Sequence, residues 1–102
     1  MEYKVIAIFK LQPNTADQEI ERCKSPESLL NTLKTFAGFV AYEVVKISED
    51  STMTIQTWET KEHFQSAMAK AMGAHSAKIQ TRENLVISYQ GYSGEIVLEN
   101  SL

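Results

Sequence analysis

The segment from Glu2 to Leu11 constrains this chain more than any other. Tyr3, Val5, Ala7, Phe9 and Leu11 fall on one side of an extended backbone, and Lys4, Ile6, Ile8 and Lys10 on the other. Its middle is therefore apolar on both sides. A strand with one solvated face has no use for that pattern, whereas a central strand covered on both faces requires it. Gln12-Pro13-Asn14 ends the strand, because proline cannot donate to a sheet ladder.

The remaining elements follow from periodicity and punctuation. Residues 15–23 read as a short helix or helical turn. Ser25-Pro26-Glu27 then places a capping residue before a proline at a first helical position. A firmer helix near 26–37 is predicted, with Leu29, Leu30, Leu33, Phe36 and Ala37 as its apolar stripe and Gly38 at its end. Phe39 to Ser48 and Thr52 to Glu59 read as two strands joined by the polar turn Glu49-Asp50-Ser51, an antiparallel hairpin. Thr60 is placed to cap a helix from Lys61 to about Met72, with Phe64, Ala67, Met68, Ala71 and Met72 inward. Gly73 interrupts or ends it, Ala74 to Thr81 adds a further turn, and Leu85 to Tyr92 forms a fourth strand. A short apolar tail, Glu95 to Leu98, follows Gly94.

The order strand, helix, strand, strand, helix, strand predicts an α+β chain of ferredoxin-like βαββαβ type with an antiparallel sheet. Helices cover one face of such a sheet and leave the other open. A first strand apolar on both faces then calls for a second cover, and a symmetric copy supplies it, so a homodimer is expected. The tail after Gly94 could add to the partner's sheet edge.

At 102 residues the chain has single-domain length, and residues 1–102 are taken as one domain. Hydrophobic residues make up 43% and charged residues 23%, enough core for folding without metal or disulfide. The net charge is −3 and the basic residues are scattered, which argues against nucleic acid as a partner. No apolar run approaches the ~20 residues of a membrane-spanning helix. Cys23 is the single cysteine, so no disulfide forms within the chain. With strand-like sequence starting at the N-terminus and no signal-peptide core, a cytoplasmic protein is expected.

Two motifs carry a family resemblance. Gly38-Phe39-Val40-Ala41-Tyr42-Glu43 places a glycine before a tyrosine-glutamate pair. Thr57-Trp58-Glu59-Thr60-Lys61-Glu62 joins a tryptophan and an acid to a helix-capping threonine. Together with the element order they resemble the dimeric α/β-barrel superfamily, and within it the antibiotic-biosynthesis-monooxygenase type of domain. The resemblance implies a dimeric α/β barrel. It also implies one of several activities: oxidation of electron-rich polycyclic phenols or quinols without metal or flavin, haem cleavage, action on small signalling molecules, or no known reaction. The sequence departs from the family in three places. Ala67 stands about nine residues after the tryptophan, where many members have histidine, and the nearby histidine is His63. Phe9, Lys10 and Leu11 stand where haem-degrading relatives have an asparagine. Ala74-His75 resembles those relatives' alanine-histidine pair, two residues closer than in them.

Several side chains could carry chemistry. His75 could ligate iron or act as a base near neutral pH, or it could simply be a surface histidine after a helix. His63, in a first helical turn, reads as surface. Trp58 and Phe64 could form the aromatic wall of a pocket, with Met68, alongside Met53 and Met72, as its adaptable lining; each could equally be core packing. Tyr42 could donate to a substrate anion, while Tyr89 and Tyr92 read as strand tyrosines with their hydroxyls at the rim. Glu43 is an acid inside an apolar strand, so it needs a partner, water or a cavity. Strict alternation groups it with Phe39, Ala41, Val45 and Ile47, and sets Val40, Tyr42, Val44 and Lys46 on the other face. Cys23 reads as inert, and no zinc spacing, phosphate loop, dinucleotide fingerprint or serine elbow is present.

The leading expectation is a cofactor-independent, monooxygenase-like protein that holds a small, flat, electron-rich aromatic molecule between helices and sheet, with no metal and no cofactor. Trp58, Phe64 and Met68 would bind it, Glu43 or His75 would accept a proton, and Tyr42 would donate. The alternatives are a non-catalytic dimeric ligand-binding or interaction module, and a haem-binding or haem-degrading protein acting through His75.

Overall fold

In the computed structural model, β1 (Tyr3–Leu11) is hydrogen-bonded on both edges and so is a central strand. The structure describes residues 1–25, 29–70 and 85–100. Around β1 lie α1 (Ala16–Cys23), α2 (Leu29–Leu33), β2 (Phe39–Ser48), β3 (Ser51–Trp58), α3 (residues 61–70) and β4 (Val86–Glu95). The four strands form one antiparallel sheet in the order β2-β3-β1-β4. This is the ferredoxin-like α+β arrangement, with the first helical region divided in two.

α1 carries Asp17 and Glu19 in its first turn and Arg22 in its last, charges that complement the helix dipole. The Ala16 amide donates to the Glu49 carbonyl at 3.0 Å, and Lys46 Nζ bridges Asp17 at 3.0 Å and Glu49 at 2.9 Å. Hydrogen bonds to Glu49 and then Asp17 raise the Lys46 pKa, so the ammonium is secured there. These contacts tie α1 to the β2–β3 turn.

The second helix is shorter than its periodicity suggested. Among the described residues it covers Leu29–Leu33 and then tightens into turns. The Thr35 amide and hydroxyl both donate to the Thr32 carbonyl, at 3.1 and 2.7 Å, and the Phe36 amide to Leu33. Such three-residue spacing replaces the α-helical ladder, and threonine side chains that bond locally favour it. The β4 strand, by contrast, runs three residues past the expected Tyr92, because Ser93 and Glu95 keep register with Val5 and Tyr3. The Ile96 amide then donates to the Glu2 carbonyl at 2.9 Å, while Val97 and Leu98 are exposed. Residues 71–84, with the predicted extra turn, Met72, Gly73 and His75, lie outside the described residues.

Gly38 has φ +85°, and a Cβ built there would overlap the His63 ring. His63 is itself held by the cap of α3: its amide donates to Thr60 Oγ1 at 3.1 Å, and its Nδ1 lies 2.8 Å from the same hydroxyl. Gly38→Ala is therefore expected to cost more than the ~1–2 kcal/mol that left-handed backbone alone costs a residue with a Cβ. Urea unfolding measures it, and a loss under about 0.5 kcal/mol would contradict this close packing.

Strand register sorts the side chains into two faces. Tyr3, Leu33, Trp58 and Ala67 form one buried cluster, with Phe39, Tyr42, Phe64 and Met68 packed on it. Phe9, Leu11 and Ala16 form another, beneath α1. Both lie on the helix-covered face. The opposite face presents Glu43, Ile55, Ile6 and Tyr92 in one cross-strand row, and Val45, Met53, Ile8 and Gln90 in the next.

Candidate functional site

The helix-covered face is apolar and aromatic at its two ends and polar in its middle. At one end, Trp58 is fully buried and meets the Phe39 ring edge-on, with centroids 5.3 Å apart. Phe64 of α3 lies 6.0 Å from Trp58 and 5.6 Å from Tyr3. At the other end Phe9 lies 5.8 Å from Tyr89. Between these ends run two cross-strand rows, Val44-Thr54-Ala7-Gly91 and Tyr42-Gln56-Val5-Ser93. Val44 and Val5 are the aliphatic members, and neither row contains Leu, Ile or Met. Among the described residues, a Cβ on Gly91 would meet just the Ile6 carbonyl oxygen, at 3.9 Å, an ordinary contact.

Hydrogen bonds join the middle to the aromatic end. The Trp58 indole N–H donates to Gln56 Oε1 at 3.0 Å, and the Tyr3 hydroxyl to Ser93 Oγ at 2.9 Å. Thr54 and Gln56 are buried, and so is Thr52, whose hydroxyl has no hydrogen-bond partner among the described residues. A sheet face that served for packing alone would not place Thr52, Thr54 and Gln56 inward while Met53 and Ile55 point away, since burying polar groups is costly unless each is paired.

Four of the predicted site residues come together here. Trp58, Phe64, Met68 and Tyr42 belong to one cluster. Glu43 does not join them. It is exposed and lies on the opposite face, beside Ile55. Strict alternation also misplaced Phe39, for a specific reason. Phe39 pairs with Trp58 and Ala41 with Thr57, so Val40 is an extra residue in β2. A one-residue bulge reverses the facing of everything before it, and Phe39 turns inward with Tyr42. A second irregularity, between Lys46 and Ser48, likewise removes Ile47 from the simple alternation. His75 lies outside the described residues.

Sequence reasoning missed Glu19. Its side chain is completely buried on α1, with Arg22 Nη2 2.7 Å from Oε1 and Arg22 Nε 3.0 Å from Oε2. The spacing Glu-x-x-Arg, three residues apart on one helix, was the available signal. Among the described residues no three His, Cys, Asp or Glu side chains converge as a metal site, and no helix is long and apolar enough to cross a membrane.

Comparison with known proteins places this geometry in a set of related folds. No protein-family model matches the chain, and no curated protein matches it. Solved structures do. A protein named as a candidate antibiotic biosynthesis monooxygenase from Bacillus cereus superimposes with a TM-score of 0.74 at 13% identity, covering 100% of this chain and 97% of its own. A variant of SnoaB, a cofactor-independent oxygenase from Streptomyces nogalater, gives 0.70 at 15% identity, covering 96% of this chain and 95% of its own. A protein of unknown function from Nitrosomonas europaea gives 0.74 at 11% identity, covering 99% and 94%. At these identities the likeness establishes the fold, the one found in antibiotic-biosynthesis-monooxygenase domains.

Proposed function

We propose that the chain is a homodimeric domain of the antibiotic-biosynthesis-monooxygenase type that binds a small, flat, electron-rich aromatic molecule against the helix-covered face of its sheet. The observation that best supports this is the mixed middle of that face, where Thr54, Gln56, Tyr42 and Ser93 bring hydrogen-bonding groups between aromatic ends. Phe64 forms the aromatic wall with Trp58 buried behind it, Met68 adapts to the ligand, and Tyr42 donates to the anion that develops on it. With Glu43 on the other face, proton acceptance falls to His75, whose type titrates near neutral pH. The SnoaB likeness supports the general chemistry, in which a deprotonated substrate itself supplies the electron to dioxygen.

The open face supports the homodimer. Ile6, Ile8, Val45, Met53 and Ile55 line its centre, and Ile8 and Val45 are 36% and 38% exposed in the single chain. Two such faces packed together close both sheets into a barrel.

A second, non-catalytic reading draws on one observation. The single fully buried carboxylate among the described residues is Glu19, and Arg22 already pairs with it. Fluorescence titration with naphthol tests binding. Saturation below about 1 mM is expected, and none at that concentration would sink the ligand site. Gly91→Leu, which fills the middle of the face without a backbone clash, is expected to weaken binding about tenfold or more. Oxygen uptake with a naphthohydroquinone then separates the two readings: protein-dependent uptake supports the oxygenase, and binding without uptake the ligand-binding module.

A further inference from the structure

Gln56 is an amide held in one orientation. It lies on the helix-covered side of β3 with 9% of its surface exposed, in the same phase of the strand as the fully buried Trp58. The Trp58 indole N–H donates to Gln56 Oε1 at 3.0 Å. An indole nitrogen only donates, so the amide oxygen must turn to Trp58 and the nitrogen takes the other arm of the planar group. That nitrogen has no hydrogen-bond partner among the described residues. Nor is it enclosed. Of the fully enclosed side-chain nitrogens and oxygens among the described residues, Thr52 Oγ1 alone lacks a partner. Gln56 therefore carries N–H donors that are fixed in direction, nearly buried and open to a ligand.

Ser93 repeats the arrangement across the sheet. It shares a cross-strand row with Gln56, through Val5. The Tyr3 hydroxyl donates to Ser93 Oγ at 2.9 Å, which leaves the serine its own hydrogen to give. In both places an aromatic donor occupies a lone pair and a hydrogen remains. The adjoining row supplies room, because Ala7 and Gly91 are paired there and a Cβ on Gly91 would meet nothing closer than 3.9 Å among the described residues. Neighbouring strands lie about 4.8 Å apart, so the two backbones are separated by about 10 Å, and the length of the glutamine side chain narrows the gap. A flat molecule with oxygens at opposite edges can bridge it.

We propose that Gln56 and Ser93 recognise the oxygen atoms of the ligand and select oxygens that only accept hydrogen bonds, a quinone carbonyl or a phenolate. This rests on the reading that the helix-covered face takes a flat aromatic molecule. Fixed donors favour the deprotonated phenol over the neutral one, and the deprotonated form is the one that the oxygenase chemistry requires.

Dimethylnaphthoquinone has carbonyls that only accept and ring carbons blocked against thiols. Dimethylnaphthalene has the same shape without oxygen. Equilibrium dialysis against the full chain is expected to show the quinone bound about tenfold more tightly. Gln56→Glu keeps an oxygen for Trp58 and sets a carboxylate oxygen where the amide donor was. Quinone affinity is expected to fall about tenfold or more, and hydrocarbon affinity to stay within about twofold. Ser93→Ala is expected to weaken the quinone severalfold and to leave the hydrocarbon unchanged. Should Gln56→Glu fail to fold, Gln56→Met, which has no hydrogen to donate, carries the same comparison. A parent protein that binds the quinone no more tightly than the hydrocarbon overturns the proposal. So do folded Gln56 variants that keep the quinone, or that lose both compounds equally. Absence of naphthol binding by the parent protein, a separate result, removes the ligand reading itself.

Discussion

Ile55→Asp is expected to turn the proposed dimer into a monomer at micromolar concentration. Ile55 lies on the open face, paired with Ile6 on one side and Glu43 on the other. In a symmetric face-to-face dimer each substitution enters the interface twice. An unpaired carboxylate among Ile6, Ile8 and Met53 would lose water without gaining a partner, at a cost of several kcal/mol. A penalty of that size shifts the dissociation constant about a thousandfold or more. Light scattering and sedimentation give the mass directly, with Gln65→Asp on the exposed side of α3 as control. A monomeric parent protein, or an Ile55→Asp variant that stays dimeric with unchanged affinity, would contradict the interface. Glu43→Gln belongs to the same experiment. From its position beside Ile55 it is expected to alter the dimer and to leave naphthol binding unchanged.

Trp58→Ala is expected to cost about 3–5 kcal/mol of folding stability. The indole is fully buried against Phe39 and Phe64, and its N–H is bonded to Gln56. Its removal opens a cavity in the cluster around Tyr3 and Leu33 and takes a partner from a buried amide oxygen. Trp58→Phe retains part of the ring contact and should lose less than half as much. Since Trp58 is the single tryptophan, unfolding must be followed by circular dichroism. A loss under about 1 kcal/mol would show that the cluster does not depend on this side chain.

The two substitutions probe opposite faces of β3, and β3 shows why the site was only partly legible. Residues 51–58 alternate, with Thr52, Thr54, Gln56 and Trp58 in one phase and Ser51, Met53, Ile55 and Thr57 in the other. Hydropathy alone turns Met53 and Ile55 toward the helices and leaves the threonines outside. The buried Trp58 shares its phase with the polar set and turns it inward. Neither phase is wholly solvent-like, so pattern by itself cannot assign the faces.

Periodicity, punctuation and capping determined the type and order of the elements. The proline after β1, the Thr60 cap of α3 and the left-handed Gly38 are local consequences of side-chain chemistry, readable one residue at a time. A family resemblance drawn from the same residues agreed with the fold. Tertiary structure decided which face each side chain occupies. A bulge at Val40, set by how β2 pairs with β3, placed Phe39 inward, and packing of the helices on the Tyr42 side left Glu43 on the open face beside Ile55. It also decided that Glu19 is buried, because a helical i,i+3 ion pair looks the same in sequence whether solvent or a sheet lies beneath it. Local conformation depends on neighbours along the chain. Facing and burial depend on partners brought together from distant positions, and one inserted residue reverses them.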